Sequence, residues 1–285
     1  MKKTLLGIAI MIVSFTTYGQ VGVGTSTPEG VLDVVSTTAG VVFPRVDNAA
    51  AVTTPVNGMV IYDLSLSCFN FYENGVWSGC LDGSISNRDI ATAVVDVYNP
   101  ATGKTWMDRN LGATQVATTA TDAASYGDLY QWGRSADGHQ LRTSSTTTTL
   151  ATTSTPEHGD FIVSSSSPYD WLTMPNSNLW QGVTGINNPC PYGYRIPTEP
   201  ELNNERLSWG SNNAAGAFGS PLKLPLTGER FSANGTVAKI GSDGYYWSST
   251  FSGTNESYFL SFSTSNALIA VFSGGTGMSV RCIKD

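Results

Sequence analysis

Short runs of alternating apolar and polar residues dominate the chain, the period of half-buried strands. Val31-Leu32-Asp33-Val34-Val35, Gly40-Val41-Val42-Phe43-Pro44-Arg45 and Gly58-Met59-Val60-Ile61-Tyr62-Asp63 read as strands. Phe69-Asn70-Phe71-Tyr72 and Val76-Trp77 flank Glu73-Asn74-Gly75. Asn-Gly between apolar residues predicts a hairpin, because a type I′ turn needs φ > 0 at both central residues. Ala93 to Tyr98 and Lys104 to Asp108 predict a second hairpin around Asn99-Pro100-Ala101-Thr102-Gly103. After residue 220, strands are predicted at Leu222–Leu226, Tyr245–Ser248, Tyr258–Phe262, Leu268–Phe272 and Met278–Cys282.

Helical periodicity is confined to two places. Asp122 can cap a segment carrying Tyr126, Leu129 and Tyr130 on one face and ending near Gly133. Thr198-Glu199-Pro200-Glu201 forms a capping box ahead of a helix to about Trp209, with Leu202 and Trp209 on one face. The Ser/Thr-rich stretch 143–156 has too few apolar groups to bury and reads as a long surface loop or, equally, a disordered excursion.

The first nineteen residues read as an export signal: Lys2 and Lys3, an apolar stretch from Leu5 to Phe15, then Thr17-Tyr18-Gly19. That stretch is shorter than the about 20 residues a membrane span needs. The expected location is extracellular or on the outer cell surface, with no transmembrane segment. The formal net charge is −7, and −9 once Lys2 and Lys3 leave with the signal. Such acidity argues against nucleic acid and anionic membranes as partners. Four cysteines in an exported chain favour disulfides and allow three pairings. Pairing within proposed units favours Cys68 with Cys80 and Cys190 with Cys282.

Residues 20–82 form the first unit, a β-rich attachment or stalk domain. Val23-Gly24-Thr25, Leu32-Asp33-Val34, Val41-Val42-Phe43-Pro44-Arg45 and Asn57-Gly58-Met59-Val60-Ile61-Tyr62-Asp63 resemble segments of exported Bacteroidetes proteins and of phage tail-fibre-like proteins. The resemblance implies a stalk or attachment module that forms homo-oligomers. Residues 83–90 read as a linker, and the second unit spans 91–285.

That second unit resembles the Fibrobacter succinogenes major paralogous domain, of the C-type-lectin-like and formylglycine-generating-enzyme-like group. The resemblance rests on Thr105-Trp106-Met107-Asp108-Arg109-Asn110-Leu111-Gly112-Ala113, on Tyr126 to Arg134, on Asn188 to Thr198, on Tyr245 to Thr250 and on Ser279-Val280-Arg281-Cys282. It implies an α+β fold, a C-type-lectin-like mixed fold with an antiparallel sheet and two helices, behind the small β-rich domain. It also implies a structural disulfide at Cys190 and Cys282, which leaves no spare thiol for formylglycine-type oxidation, so the chain is expected not to be an enzyme.

Candidate chemistry is sparse. The Glu-Pro-Asn and Trp-Asn-Asp signatures of calcium-dependent lectins are absent; Asp243, Asn255 and Glu256 are the oxygens a calcium ion would draw on, and no cofactor is expected. His139 and His158, flanking the Thr-rich loop, are the candidate metal ligands of another kind. Phe251, Asn255, Glu256, Tyr258 and Phe272 lie in or beside the last hairpin loops and are the candidate ligand-binding residues, since amphipathic aromatics beside Asn and Ser suit sugar stacking or protein contact. The function expected is non-catalytic recognition of an extracellular glycan or protein at the cell surface. The alternatives are a structural fibre or filament component and an enzyme of the formylglycine-generating type.

Overall fold

The computed structural model describes residues 21–64, 68–73, 75–77, 88–89, 92–167, 169–253 and 256–285. The expected signal segment lies outside the described residues.

The N-terminal region holds six short strands. β1 (Val21–Val23) and β2 (Leu32–Val34) pair in parallel as a two-stranded ribbon. β3 (Arg45–Val46), β4 (Met59–Asp63), β5 (Cys68–Glu73) and β6 (Val76–Trp77) form a four-stranded sheet in that order. The expected β5–β6 hairpin is present, with Gly75 at φ +82° where a side chain would be strained. Only Arg45 of the second expected strand enters a sheet, together with the following Val46.

The C-terminal region contains β7 (Asp96–Asn99), β8 (Lys104–Met107), β9 (Tyr130–Gln131), β10 (Thr146–Thr147), β11 (Phe161–Ile162) and β12 (Tyr194–Arg195). Two helices follow, α1 (Glu199–Leu207) and α2 (Ala214–Gly219). The remaining strands are β13 (Glu229–Arg230), β14 (Val237–Ala238), β15 (Asp243–Phe251), β16 (Glu256–Ser263), β17 (Ala267–Ser273), β18 (Gly277–Met278) and β19 (Ile283–Lys284). The longest of these form the antiparallel sheet β15-β16-β17.

Each face of that sheet packs against a core, although Leu268 and Phe272 of β17 stay exposed. Tyr245, Trp247 and Phe259 face a core with Trp132, Trp180, Cys190 and Cys282. Tyr246, Leu260 and Phe262 face a second core with Trp106, Leu202, Trp209 and Leu222. The last residues stitch the sheets together: β18 joins β9 and β13, Ser279 bridges to Tyr246 of β15, and β19 sits between β12 and β8. Cys282 is disulfide-bonded to Cys190 across 92 residues, and both are fully buried.

The chain is mostly β, 29% strand and 9% helix, which overturns the α+β lectin-like arrangement implied by the resemblance. The first expected helix is missing. Asp122 does cap, accepting from the Ala124 amide at 3.2 Å, but only a single 3₁₀ turn over Ala123–Ser125 follows. Gly127 then turns to φ +66°, and a Cβ there would sit 2.1 Å from the Leu111 carbonyl oxygen. The backbone close approach dictates the turn, and Tyr130 emerges as strand β9. Tyr126, Leu129 and Tyr130 are buried as their periodicity suggested, but by a folded loop.

The second expected helix is α1, closed by its capping box, with the Glu201 carboxylate accepting from the Thr198 amide at 2.9 Å. Leu202 and Trp209 pack in one core. The helix α2 has no counterpart among the expected elements; Asn213 caps it by accepting from the Ala215 amide at 3.1 Å. Leu222, Leu224 and Leu226 are buried without forming a strand. The Thr-rich stretch is pinned by β10 pairing with β11 and by Leu150 and Ala151 packing beside Trp171 and Leu172.

Replacing Cys190 and Cys282 together with Ser should lower the free energy of unfolding by about 3–5 kcal/mol, since closing a long loop restricts the unfolded chain. Urea denaturation of the two proteins under non-reducing conditions measures the difference, and a change under about 1 kcal/mol would contradict a structural role.

Candidate trimerisation surface

The N-terminal region fails to bury its own apolar residues. Among its described residues, 21–77, only Ile61, Asp63, Cys68 and Asn70 are buried, and two of those are polar. The Asp63 carboxylate is occupied, accepting from the Ala49 amide at 2.7 Å. Edge-to-face contacts of Phe69 with Phe43 at 5.5 Å and with Tyr62 at 5.2 Å half-cover the four-stranded sheet.

The ribbon β1–β2 is barer still. Its register places Val21 opposite Leu32, Gly22 opposite Asp33 and Val23 opposite Val34. Cross-strand partners share a face, so Val21, Val23, Leu32 and Val34 form one four-residue aliphatic face, with Gly22 and Asp33 on the other. All four are exposed, Leu32 at 66%. The ribbon is tight because Gly24 lies at φ +76° against Val35, where a Cβ would come within 2.0 Å of the Val35 oxygen. A two-stranded sheet with an open aliphatic face is marginal in water, which leaves the region dependent on apolar contacts from outside itself. Val31, Val42, Phe43, Val56 and Val76 extend the exposed apolar surface.

The residues singled out for ligand binding fall on two faces of β15-β16-β17. Phe251 pairs with Ser257, and Ser257 with Phe272, so Phe251 and Phe272 share one face across three strands. Glu256 and Tyr258, one position either side of Ser257, point to the opposite face. Phe251 is half-buried with its ring 5.7 Å from Trp132, whereas Phe272 is exposed beside Phe259 at 6.3 Å. Asn255 lies outside the described residues. Cys68 is disulfide-bonded, while Cys80 lies outside the described residues.

The histidines do not meet. His139 is fully buried, its Nδ1 2.7 Å from Asp137 and its Nε2 accepting from the Gln131 amide at 3.0 Å; burial pulls its pKa down to about 4. His158 is exposed and its Nδ1 accepts from the Asp160 amide. Glu201 is taken up by Arg195, whose guanidinium donates to both carboxylate oxygens at 2.7 and 2.8 Å. Among the described residues, no three His, Cys, Asp or Glu side chains gather as a metal site would require.

Buried polar groups overlooked in the sequence do more in the structure. The Arg281 guanidinium is fully buried and donates to Asn110 Oδ1 at 3.0 Å, Leu222 O at 2.7 Å and Met107 O at 3.3 Å. Arg134 donates to Gln131, Asp137 and the carbonyls of His158 and Asp160. Asp128 is packed against Gly112, where any Cβ would lie 2.4 Å from its carboxyl carbon. Burial, reinforced by the nearby Asp89 charge and opposed by Arg142, pushes the Asp128 pKa up to about 7. Their spacing resembles no catalytic motif, and the only signal in the sequence is the placement of charged residues inside aromatic-rich strands and turns.

Residues 22–94 match a family model described as a phage tail-like trimerisation region. That segment spans the bare ribbon and the four-stranded sheet, and the match supports homo-oligomerisation. No curated protein and no solved structure matches the chain. Among the described residues, no helix is long and apolar enough to cross a membrane.

Asp128 sets a measurable pH dependence. A carboxyl whose pKa rises from 3.8 to about 7 on folding contributes stability that is full below pH 4 and is lost as pH climbs through 7. Asp170, pushed up to about 6 by burial, acts in the same direction, and His139, depressed to about 4, acts oppositely as pH falls from 6.5. The difference between Asp128→Asn and the parent isolates the first group. The variant should gain stability relative to the parent between pH 4 and pH 8, on the order of 2 kcal/mol. Chemical denaturation at the two pH values reads this, and a difference independent of pH would refute it.

Proposed function

We propose that the chain is the subunit of a homotrimeric fibre-like or tail-like assembly. Residues 21–94 of three copies form a shared stalk, and the disulfide-bonded β-rich head is displayed at its end. One observation carries the reading: among its described residues the N-terminal region buries two apolar side chains, Ile61 and Cys68, while the aliphatic face of β1–β2 stands open. Three such faces turned toward a common axis would bury Val21, Val23, Leu32 and Val34 of every chain. Apolar burial of this kind contributes roughly 25 cal/mol per Å² and supplies the core that the region lacks alone. The match to a trimerisation region supports the same arrangement.

The proposed role is non-catalytic. Formylglycine-type oxidation would need a spare thiol, whereas Cys190 and Cys282 are joined to each other in the core and no cysteine among the described residues is free. Export to the outer surface, read from the leader pattern, fits an oxidising location in which that bond persists. The fibre reading takes precedence over recognition of a glycan, because its support is geometric and the described residues among those named for ligand contact, Phe251, Glu256, Tyr258 and Phe272, fall on two opposite faces of a sheet.

Light scattering of the chain lacking its leader should give three times the mass of one chain. The paired substitution Val23→Asp and Leu32→Asp should lower the mass to one chain at the same concentration, with the near-ultraviolet spectrum of the Trp-rich head retained. A parent protein that stays a single chain at high concentration would sink the proposal.

A further inference from the structure

The sheet β15-β16-β17 has one closed edge and one open edge. On the β15 side, the Trp247 amide donates to Ser279 O at 3.0 Å, the Ser279 amide to Tyr245 O at 3.0 Å and the Ser249 amide to Pro197 O at 2.8 Å. That phase determines the other edge. Because Trp247 points its amide outward, its pair with Phe259 is the non-hydrogen-bonded kind, so Phe259 exchanges its bonds with Ala270 of β17. Leu268, Ala270 and Phe272 therefore spend their backbone groups on β16. Ala267, Ile269, Val271 and Ser273 point theirs away from the sheet.

The ends of this outer row are satisfied. Asn212 Nδ2 donates to Ala267 O at 2.8 Å, and the Thr276 amide donates to Ser273 O at 3.2 Å. Between them, no described residue bonds to the outward N–H or C=O of Ile269 or Val271. β17 is seven residues long, Ala-Leu-Ile-Ala-Val-Phe-Ser, with no charge, no proline and no bulge. Those are the devices by which natural sheets guard an edge. Its two exposed large side chains, Leu268 at 42% and Phe272 at 45%, lie on one face with Ala270 between them.

We propose that β17 is a docking edge for β17 of a second copy of this chain, paired antiparallel about a two-fold axis through Ala270. The sequence of the strand is self-complementary in that register. Ile269 meets the partner's Val271 as a hydrogen-bonded pair, and the outward backbone groups of both are satisfied. Leu268 meets the partner's Phe272, and Phe272 the partner's Leu268, so each exposed side chain covers the other. The small Ala270 sits at the axis, where non-hydrogen-bonded partners approach to about 4.5 Å between Cα atoms. No like charges oppose each other. Head-to-tail extension of the sheet is blocked because the β15 edge is closed, so the pairing is two-fold. A pair of seven-residue strands falls well short of the roughly 1,600 Å² of a standard interface. Single contacts are therefore weak, and three heads on one stalk would strengthen the association through multivalency.

The pairing and the trimer are separable by mass. With both, sedimentation of the full chain at rising concentration gives three and then six chains; with pairing alone, one and then two. A mass that stops at three or at one chain overturns the pairing. Ala270→Cys tests the register, because Cα atoms near 4.5 Å apart lie within disulfide range and the described native cysteines are all bonded. Mild oxidation should convert most of that variant to disulfide-linked pairs of chains. The same cysteine combined with Leu268→Lys and Phe272→Lys should lose at least tenfold of the linked product. Absence of linkage in the first protein, or its persistence in the second, overturns the proposal. Should the charged variant lose its near-ultraviolet signal, Val271→Pro takes its place, since it removes only an outward N–H at an edge.

Discussion

The fully buried Arg281 guanidinium is the interaction on which the head depends. It lies one residue before Cys282 and donates to Asn110 and Met107 in one stretch of chain and to Leu222 in another. Most strands of the head are two residues long and cannot hold their neighbours by ladder bonds alone. A planar fork of donors that reaches several carbonyls replaces the missing ladder. Burial lowers the Arg281 pKa to about 10, still far above neutrality, so the group stays charged and its donors stay available. Losing any acceptor would leave a buried charged donor unsatisfied, among the costlier defects a core can carry.

Arg134 repeats the device on the other side of the core, joining β9 to the loop before β11 and lying 5.7 Å over the Trp171 ring. Trp132, Trp171, Trp180 and Trp247 each donate an indole N–H to a carbonyl, so the aromatic core is also a polar one. The disulfide fixes the C-terminal segment where these bonds converge. The head thus carries its own core, organised around the tail of the chain.

The N-terminal region takes the opposite course. Its strands are also short, but among its described residues no buried arginine and no indole network compensates, and most of its aliphatic residues are exposed. In the proposed trimer such a segment is stabilised by copies of itself. On that reading the chain divides its stability in two: covalent and polar cross-links hold the head, and association holds the N-terminal region. The open edge of β17 carries a smaller share of the same logic into the head.

Much of the secondary structure was legible along the chain. The hairpin at Asn74-Gly75, the strands β7, β8, β15, β16 and β17 and the capping box at Thr198 rest on local chemistry, where turn geometry, alternation and capping act within a few residues. The disulfide between Cys190 and Cys282 followed from the division into units. The site was less legible. The run 31–35 read as a strand, but Val21 and Val23 lay in a glycine-rich lead-in, and the sequence could not say that Val21, Val23, Leu32 and Val34 would share one face left exposed among the described residues. Likewise, Phe251, Glu256, Tyr258 and Phe272 are neighbours in sequence or across a hairpin, and only the register assigned them to opposite faces of a sheet. Tyr126, Leu129 and Tyr130 carried helical spacing, yet Gly127 meeting Leu111 turned the segment into a loop and a strand. Local sequence determined where strands, turns and caps form, because those choices are settled by the backbone and its nearest side chains. Which faces are buried, which edge stays open and which arginines become core are long-range outcomes, decided when residues as far apart as Asn110 and Arg281 meet as acceptor and donor of one hydrogen bond.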